Sequence, residues 1–208
     1  MMKLRYRIGT KVINYMWTIL FGFQVEGREN ILENVGLIIA PNHLSNFDPP
    51  LVGTAAWNRE CYFLSKTSVF FSSKFATFIM KAFNAYPINI EKPEKTTFDY
   101  TKEVLRKKFA IIMFPEGTRS KVGHLNEFNE GVAWMAFQFN VPIIPVLVVN
   151  TNTPLITQMF RKTSVLIKLG KPIPTDFYRQ FKNSKEARKM ITRELKSRIE
   201  EMARDLKK

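Results

Sequence analysis

Apolar residues along this chain gather into short unbroken runs, with amphipathic stretches between them. Leu37-Ile38-Ile39-Ala40, Ala110-Ile111-Ile112-Met113-Phe114 and the run over 141–149 lack the alternation of a half-buried strand. Runs of that kind read as strands covered on both faces. Residues 60–65, 85–90 and 164–169 add further strands, and 24–35 a short strand and turn. The continuous run 110–114 is expected to be central. Pro87 assigns 85–90 to an edge or a strand start, because proline offers no N–H to a ladder. Helical patterning covers 50–58, 69–86, 95–109 and 127–139. A closing helix starts at the N-cap candidate Asn183, with Glu186 three residues on. Its apolar face is drawn by Ala187, Ile191, Leu195, Ile199, Met202 and Leu206. Strands alternating with helices predict an α/β fold, with a mixed, largely parallel central sheet flanked by helices.

Two stretches carry a second pattern. In 1–24 the polar positions Arg7, Lys11, Asn14 and Thr18 draw one helical stripe, and Ile8, Val12, Tyr15, Met16, Ile19 and Leu20 are among the residues on the other faces. Lys3 and Arg5 add positive charge, and no acid occurs there. No uncharged apolar run is long enough to span a bilayer, and the short apolar stretch lacks the small-residue site of a signal peptide. A basic amphipathic helix lying in a membrane interface, or a helix packed on its own domain, fits instead. Likewise Lys74, Thr77, Lys81 and Asn84 form a stripe in 69–86, beside Phe71, Phe75, Phe78, Ile79 and Phe83. The predicted organisation is an N-terminal amphipathic membrane-interface element, 1–24, and one domain, 25–208.

Charge sharpens the picture more than composition does. The 208 residues carry 32 Lys and Arg against 18 Asp and Glu, a net charge of +14. An anionic partner is indicated: lipid, phosphorylated small molecule or nucleic acid. Residues 161–208 hold 15 basic and 6 acidic residues. They are interleaved rather than gathered on one face, which argues against nucleic acid. The single cysteine, Cys61, rules out an internal disulfide and reads as a small buried hydrophobe. With His43 and His124 the only histidines, no spacing resembles a metal site. Neither a Walker loop nor a G-x-G-x-x-G turn is present, so no nucleotide cofactor is indicated.

Candidate chemistry sits after two of the strands. His43 and Asp48 follow the first apolar run with four residues between them. An imidazole is the usual general base near neutral pH, and a nearby carboxylate holds its tautomer and stabilises the imidazolium. Ser45 lacks the strained G-x-S-x-G elbow of a nucleophile. Phe114-Pro115-Glu116-Gly117-Thr118-Arg119-Ser120 ends the 110–114 run, where open α/β sheets bind ligands. Arg119 offers a planar fork suited to phosphate, and Gly117 lets a ligand approach the backbone. Glu116 beside such a site would hold Arg119 or accept a hydroxyl. Either block alone is also compatible with an ordinary strand-end loop.

Together, Asn42-His43-Leu44-Ser45-Asn46-Phe47-Asp48 and Phe114-Pro115-Glu116-Gly117-Thr118-Arg119-Ser120 resemble the glycerolipid acyltransferases, specifically the 1-acyl-glycerol-3-phosphate acyltransferases. That family pairs an H-x-x-x-x-D motif with an F-P-E-G-T-R block about seventy residues on, and His43 and Phe114 are 71 apart. Val141-Pro142-Ile143-Ile144-Pro145-Val146 and Val25-Glu26-Gly27-Arg28-Glu29-Asn30 extend the likeness over about 24–172. One block departs from it. Asn84-Ala85-Tyr86-Pro87-Ile88-Asn89-Ile90 lacks the arginine that the family commonly carries there.

The resemblance implies a membrane-associated enzyme that moves an acyl chain from a thioester to lysophosphatidic acid, giving phosphatidic acid. His43 would deprotonate the acceptor hydroxyl with Asp48 in support. Lys66, Glu116, Gly117 and Arg119 would bind the glycerol phosphate. No cofactor or metal is implied; the donor is an acyl group on coenzyme A or acyl carrier protein. The implied location is peripheral or monotopic, on the cytoplasmic face of the cell membrane. Acyl transfer to glycerol 3-phosphate or another lysolipid, or non-catalytic binding of anionic lipid, are the alternatives.

Overall fold

The structure, a computed structural model, describes residues 4–89, 95–120, 125–153, 164–181 and 184–206, without the side chains of 4, 5, 75, 76 and 79. Lys3, Ile90, His124 and Asn183, and the side chains of Arg5, Phe75 and Ile79, therefore lie outside the described residues. The described strands are β1 (Gln24–Glu26), β2 (Leu37–Pro41), β3 (Cys61–Lys66), β4 (Ala85–Ile88), β5 (Ala110–Ile112), β6 (Ile143–Val149) and β7 (Leu166–Leu169). They form one sheet in the order β1-β7-β6-β2-β5-β3-β4. β6, β2, β5, β3 and β4 run parallel, while β7 and β1 run against them. The mixed, largely parallel sheet is as the sequence predicts, with the Pro87 strand at an edge and 110–114 in the interior.

β2 sits at the middle because all five of its residues can be buried, and all are. Side chains alternate across a strand, so β2 feeds two cores. Leu37 and Ile39 join Phe63, Ile112 and Ile144 on one face. Ile38 and Ala40 join Ile111 and Ile143 on the other. The first face is covered by α1 (Leu4–Phe21) and α2 (Asp48–Ala55). The second is covered by α5 (Lys95–Arg106), α6 (Gly131–Phe139) and α7 (Ser184–Asp205). Ala187, Ile191, Leu195, Ile199 and Met202 are buried as the periodicity predicts. Leu206 is not: it follows the helix end and is exposed. Cys61 is buried, and burial pushes its thiol up to about 12.

The stretch 69–86 is not one helix. It divides into α3 (Thr67–Phe70) and α4 (Lys74–Ala82), followed by β4. Phe70 turns into the core, while Phe71 and Phe78 stay exposed.

α1 spans about 27 Å at 1.5 Å per residue and ends where Gly22 adopts φ 60°. That left-handed turn lets the N–H groups of Gly22 and Phe23 reach the carbonyls of Thr18 and Trp17. The helix is tied to the domain near its start by Tyr6, whose hydroxyl accepts from the Cys61 N–H at 3.2 Å. Near its middle, Asn14 Nδ2 donates to the Thr54 carbonyl and Asn14 Oδ1 accepts from Arg28. The polar stripe thus borders the packed face, with Lys11 lying over the Trp57 ring at 4.0 Å. Ile8, Val12, Tyr15, Met16, Ile19 and Leu20 form the outward face, each more than 40% exposed. Among the described residues, no helix is long and apolar enough to cross a membrane.

Candidate active site

The parallel strands β2, β5 and β6 bring their carboxyl ends to one edge of the sheet, and the loops that leave them build the site. After β2, Asn42 is buried and clamps the strand end to β6. Its Nδ2 donates to the Val148 carbonyl at 3.0 Å, and its Oδ1 accepts the Val148 N–H at 2.6 Å. The chain then turns so that Asp48, fully buried, opens α2 with Pro49 and Pro50 behind it. Proline suits that first turn, where a backbone N–H has no intrahelical partner.

The Asp48 carboxylate faces back into its own loop. Oδ2 lies 2.8 Å from His43 Nδ1 and accepts the N–H groups of Leu44 and Ser45 at 2.6 and 2.7 Å. Oδ1 accepts the Thr151 hydroxyl at 2.6 Å. Because a carboxylate only accepts, we assign the Nδ1 proton to the donating position, which leaves Nε2 with its lone pair. Phe114 stacks on the imidazole with centroids 4.0 Å apart, and the His43 side chain keeps 17% of its surface exposed. The ring is thus held from its edge and one face, and Nδ1 is the nitrogen engaged by Asp48. A pair so placed can take a proton from a hydroxyl and return it.

The loop after β5 is laced to this one through backbone. Glu116 is buried; its Oε1 accepts the His43 N–H at 2.8 Å and its Oε2 the Asn126 N–H at 3.0 Å. Ser120 N–H in turn donates to the His43 carbonyl at 2.8 Å. Each Glu116 oxygen accepts a backbone N–H, so this buried residue ties the loop after β2 to the loop after β5. Gly117 adopts φ 68°, and a Cβ there would lie 3.0 Å from Asn129 Nδ2. Arg119 is exposed and lines a cavity of about 310 Å³ together with Leu44, Ser45, Trp17, Phe21 and Phe23. One cavity therefore joins a guanidinium to an aromatic wall beside the His43 loop. Lys66 ends β3, exposed, two strands away from β2 across β5, on the order of 10 Å at the usual strand spacing. It is not part of that cavity wall.

Sequence reasoning missed Thr151 and the stacking role of Phe114. Thr151 is 103 positions from Asp48. Its only signal is a hydroxyl residue just past an apolar strand.

Residues 22–149 match the family described as Acyltransferase. The chain belongs to the acyltransferase family. This bears out the resemblance carried by His43, Asp48 and the Phe114–Ser120 stretch, all inside the matched residues. Individual members fit the same way. The chain is 28% identical over 178 residues to a 1-acyl-sn-glycerol-3-phosphate acyltransferase of Saccharomyces cerevisiae, covering 81% of this chain and 58% of that one. Against the protein of that name from Bacillus subtilis the identity is 21%, over 97% of this chain and 98% of the other. The chain therefore spans little more than half the yeast relative but nearly all of the bacterial one. The crystal structure of PlsC, the 1-acyl-sn-glycerophosphate acyltransferase from Thermotoga maritima, superposes with a TM-score of 0.69 at 23% identity. It covers 96% of this chain and 78% of that chain, and establishes the acyltransferase fold.

Proposed function

We propose that this protein transfers an acyl chain from a thioester to the free hydroxyl of lysophosphatidic acid, producing phosphatidic acid. The observation that carries the reading is the shared cavity. Arg119, an aromatic wall and the loop of a preorganised His43–Asp48 pair meet in one space, which suits a ligand with a phosphate, a hydroxyl and an acyl chain. The names of the yeast and Bacillus subtilis relatives support the same acceptor.

In this reading Nε2 of His43 takes the acceptor's hydroxyl proton as its oxygen attacks the thioester carbonyl. The oxygen–carbon bond forms, the carbon–sulfur bond breaks, and the proton passes from His43 to the departing sulfur. Asp48 stabilises the imidazolium formed between the two steps. Such a base contributes on the order of 10²- to 10⁴-fold. Arg119 holds the phosphate through a charge-assisted fork. Gly117 keeps its flank open, and Lys66 adds positive charge at the same edge. Anchoring this remote phosphate orients the hydroxyl, and its binding energy lowers the barrier.

The same reading has the protein draw its acceptor from a membrane, on the cytoplasmic side. The outward apolar face of α1 supports this: its last turn supplies Trp17 and Phe21 to the cavity wall. Exposed Arg7 and Lys11 flank that face, each worth about 1 kcal/mol near an anionic leaflet. Exposed Phe71 and Phe78 offer a second apolar contact.

Purified protein given an acyl thioester and either lysophosphatidic acid or glycerol 3-phosphate tests the acceptor directly. Phosphatidic acid should form, with release of free thiol. Turnover of glycerol 3-phosphate alone would overturn the lysolipid assignment, and thiol release with neither acceptor esterified would overturn acyl transfer to a glycerophosphate.

A further inference from the structure

A second cavity meets the His43 loop from the other face of the sheet. The first, with Trp17, Phe23 and Val165 in its wall, lies on the α1 side. The second, about 720 Å³, is floored by Leu147 of β6 and walled by Glu200, Ala203 and Arg204 of α7. Leu147 and Ala203 belong to the opposite core. Leu44 and Asn152 line both cavities. The His43 loop thus stands at the sheet edge with one space on each side of it.

Direct transfer between two substrates requires both to reach the same base at once. Cys61 cannot hold the acyl group in between, because it is buried at the start of β3, away from the carboxyl edge. The α1-side cavity carries the guanidinium and the aromatic wall that suit the acceptor. We propose that the α7-side groove admits the phosphopantetheine arm of the thioester donor, an inference that rests on the acyl-transfer reading above. The arm is a flexible chain of amides that ends in a phosphate ester. The apolar floor at Leu44 and Leu147 and the polar rim at Asn152 match its inner part. Arg204, exposed in the last turn of α7, matches its phosphate. Glu200, one turn earlier, faces the neutral amide section. The two substrates then arrive from different surroundings: the lipid along α1, and the water-borne donor along α7.

Arg204→Glu tests the groove with little risk to folding, since the side chain is exposed; Ala203→Trp fills it. Steady-state rates are measured with acyl-coenzyme A, and again with acylated carrier protein, at saturating lysophosphatidic acid. Loss of one charge-assisted contact predicts about a tenfold rise in the donor's KM for Arg204→Glu. Ala203→Trp should raise it further, and the acceptor's KM should stay put in both. A rise with either donor supports the groove and says which carrier uses it. A rise confined to the acceptor's KM, or no change in either KM for Arg204→Glu, overturns it whether or not Ala203→Trp folds. Absence of lysophosphatidic acid turnover by the unmodified protein is a different failure, that of the acyl-transfer reading itself.

Discussion

Two loops leave neighbouring strands at the same edge of the sheet, and they are built in opposite ways. In the loop after β2 the proposed base is held from several sides. Asp48 is fully buried and takes four hydrogen bonds, and His43 is stacked and oriented before any ligand arrives. In the loop after β5 the buried residue, Glu116, holds backbone, while the residue suited to a ligand, Arg119, stands exposed at a cavity wall. A base gains from preorganisation, because any freedom in its ring is lost on the way to the transition state. A phosphate-binding guanidinium can wait, because the ligand itself supplies the charge that fixes it.

The largest test removes the held group. His43→Ala should lower kcat by on the order of 10²- to 10⁴-fold with the thermal midpoint nearly unchanged; near wild-type turnover would sink the assignment. Removing the waiting group should act on binding instead. Arg119→Ala is expected to raise the acceptor's KM by about ten- to a hundredfold, the worth of hydrogen bonds to a charged group, and to leave the thioester's KM alone. If only the thioester's KM moved, the contrast between the loops would be misdrawn.

Thr151→Val separates positioning from packing. It deprives Asp48 Oδ1 of its donor in a buried setting, a penalty of about 1–3 kcal/mol. kcat should fall roughly tenfold with KM little changed, and Thr151→Ser should restore it; failure of the serine to rescue would mean the methyl matters, not the hydroxyl. Gly117→Ala should destabilise the chain by about 1–2 kcal/mol, the cost of a left-handed conformation for a residue with a Cβ, readable in denaturant midpoints. An unchanged midpoint would mean that loop shifts freely.

The smallest effect concerns Cys61, which belongs to neither loop. Its thiol stays protonated in the fold up to about 12, whereas an unfolded one ionises near 8.5, about the ordinary value. The native chain therefore binds the extra proton between those values. Stability should begin to decline as pH rises past about 8.5, and alkylation at pH 8 should be slow until denaturant is added. Rapid labelling of native protein would contradict its burial.

Much of this molecule is written locally. The buried strands, the edge position of the Pro87 strand, the mixed sheet and the buried stripe of α7 each follow from periods and proline chemistry that a short window contains. So do His43 and Asp48, whose contact needs only a five-residue turn. What the window does not contain is the partner brought from afar. Glu116 takes one of its two backbone donors from His43, 73 positions away in the loop after β2. Thr151 was invisible because a threonine after a strand has no distinguishing pattern until β6 is laid beside β2.

The N-terminal helix divides along the same line. Its sequence alone determined that one stripe is polar and the rest apolar. Only the packing of Tyr6, Asn14 and Trp17 on the domain decided which apolar residues are used up and which, from Ile8 to Leu20, remain outward. Amphipathic period is a property of neighbours three and four residues apart, and the chain carries it whether or not it is folded. Which face is covered depends on surfaces that exist only once α2 and the sheet have formed.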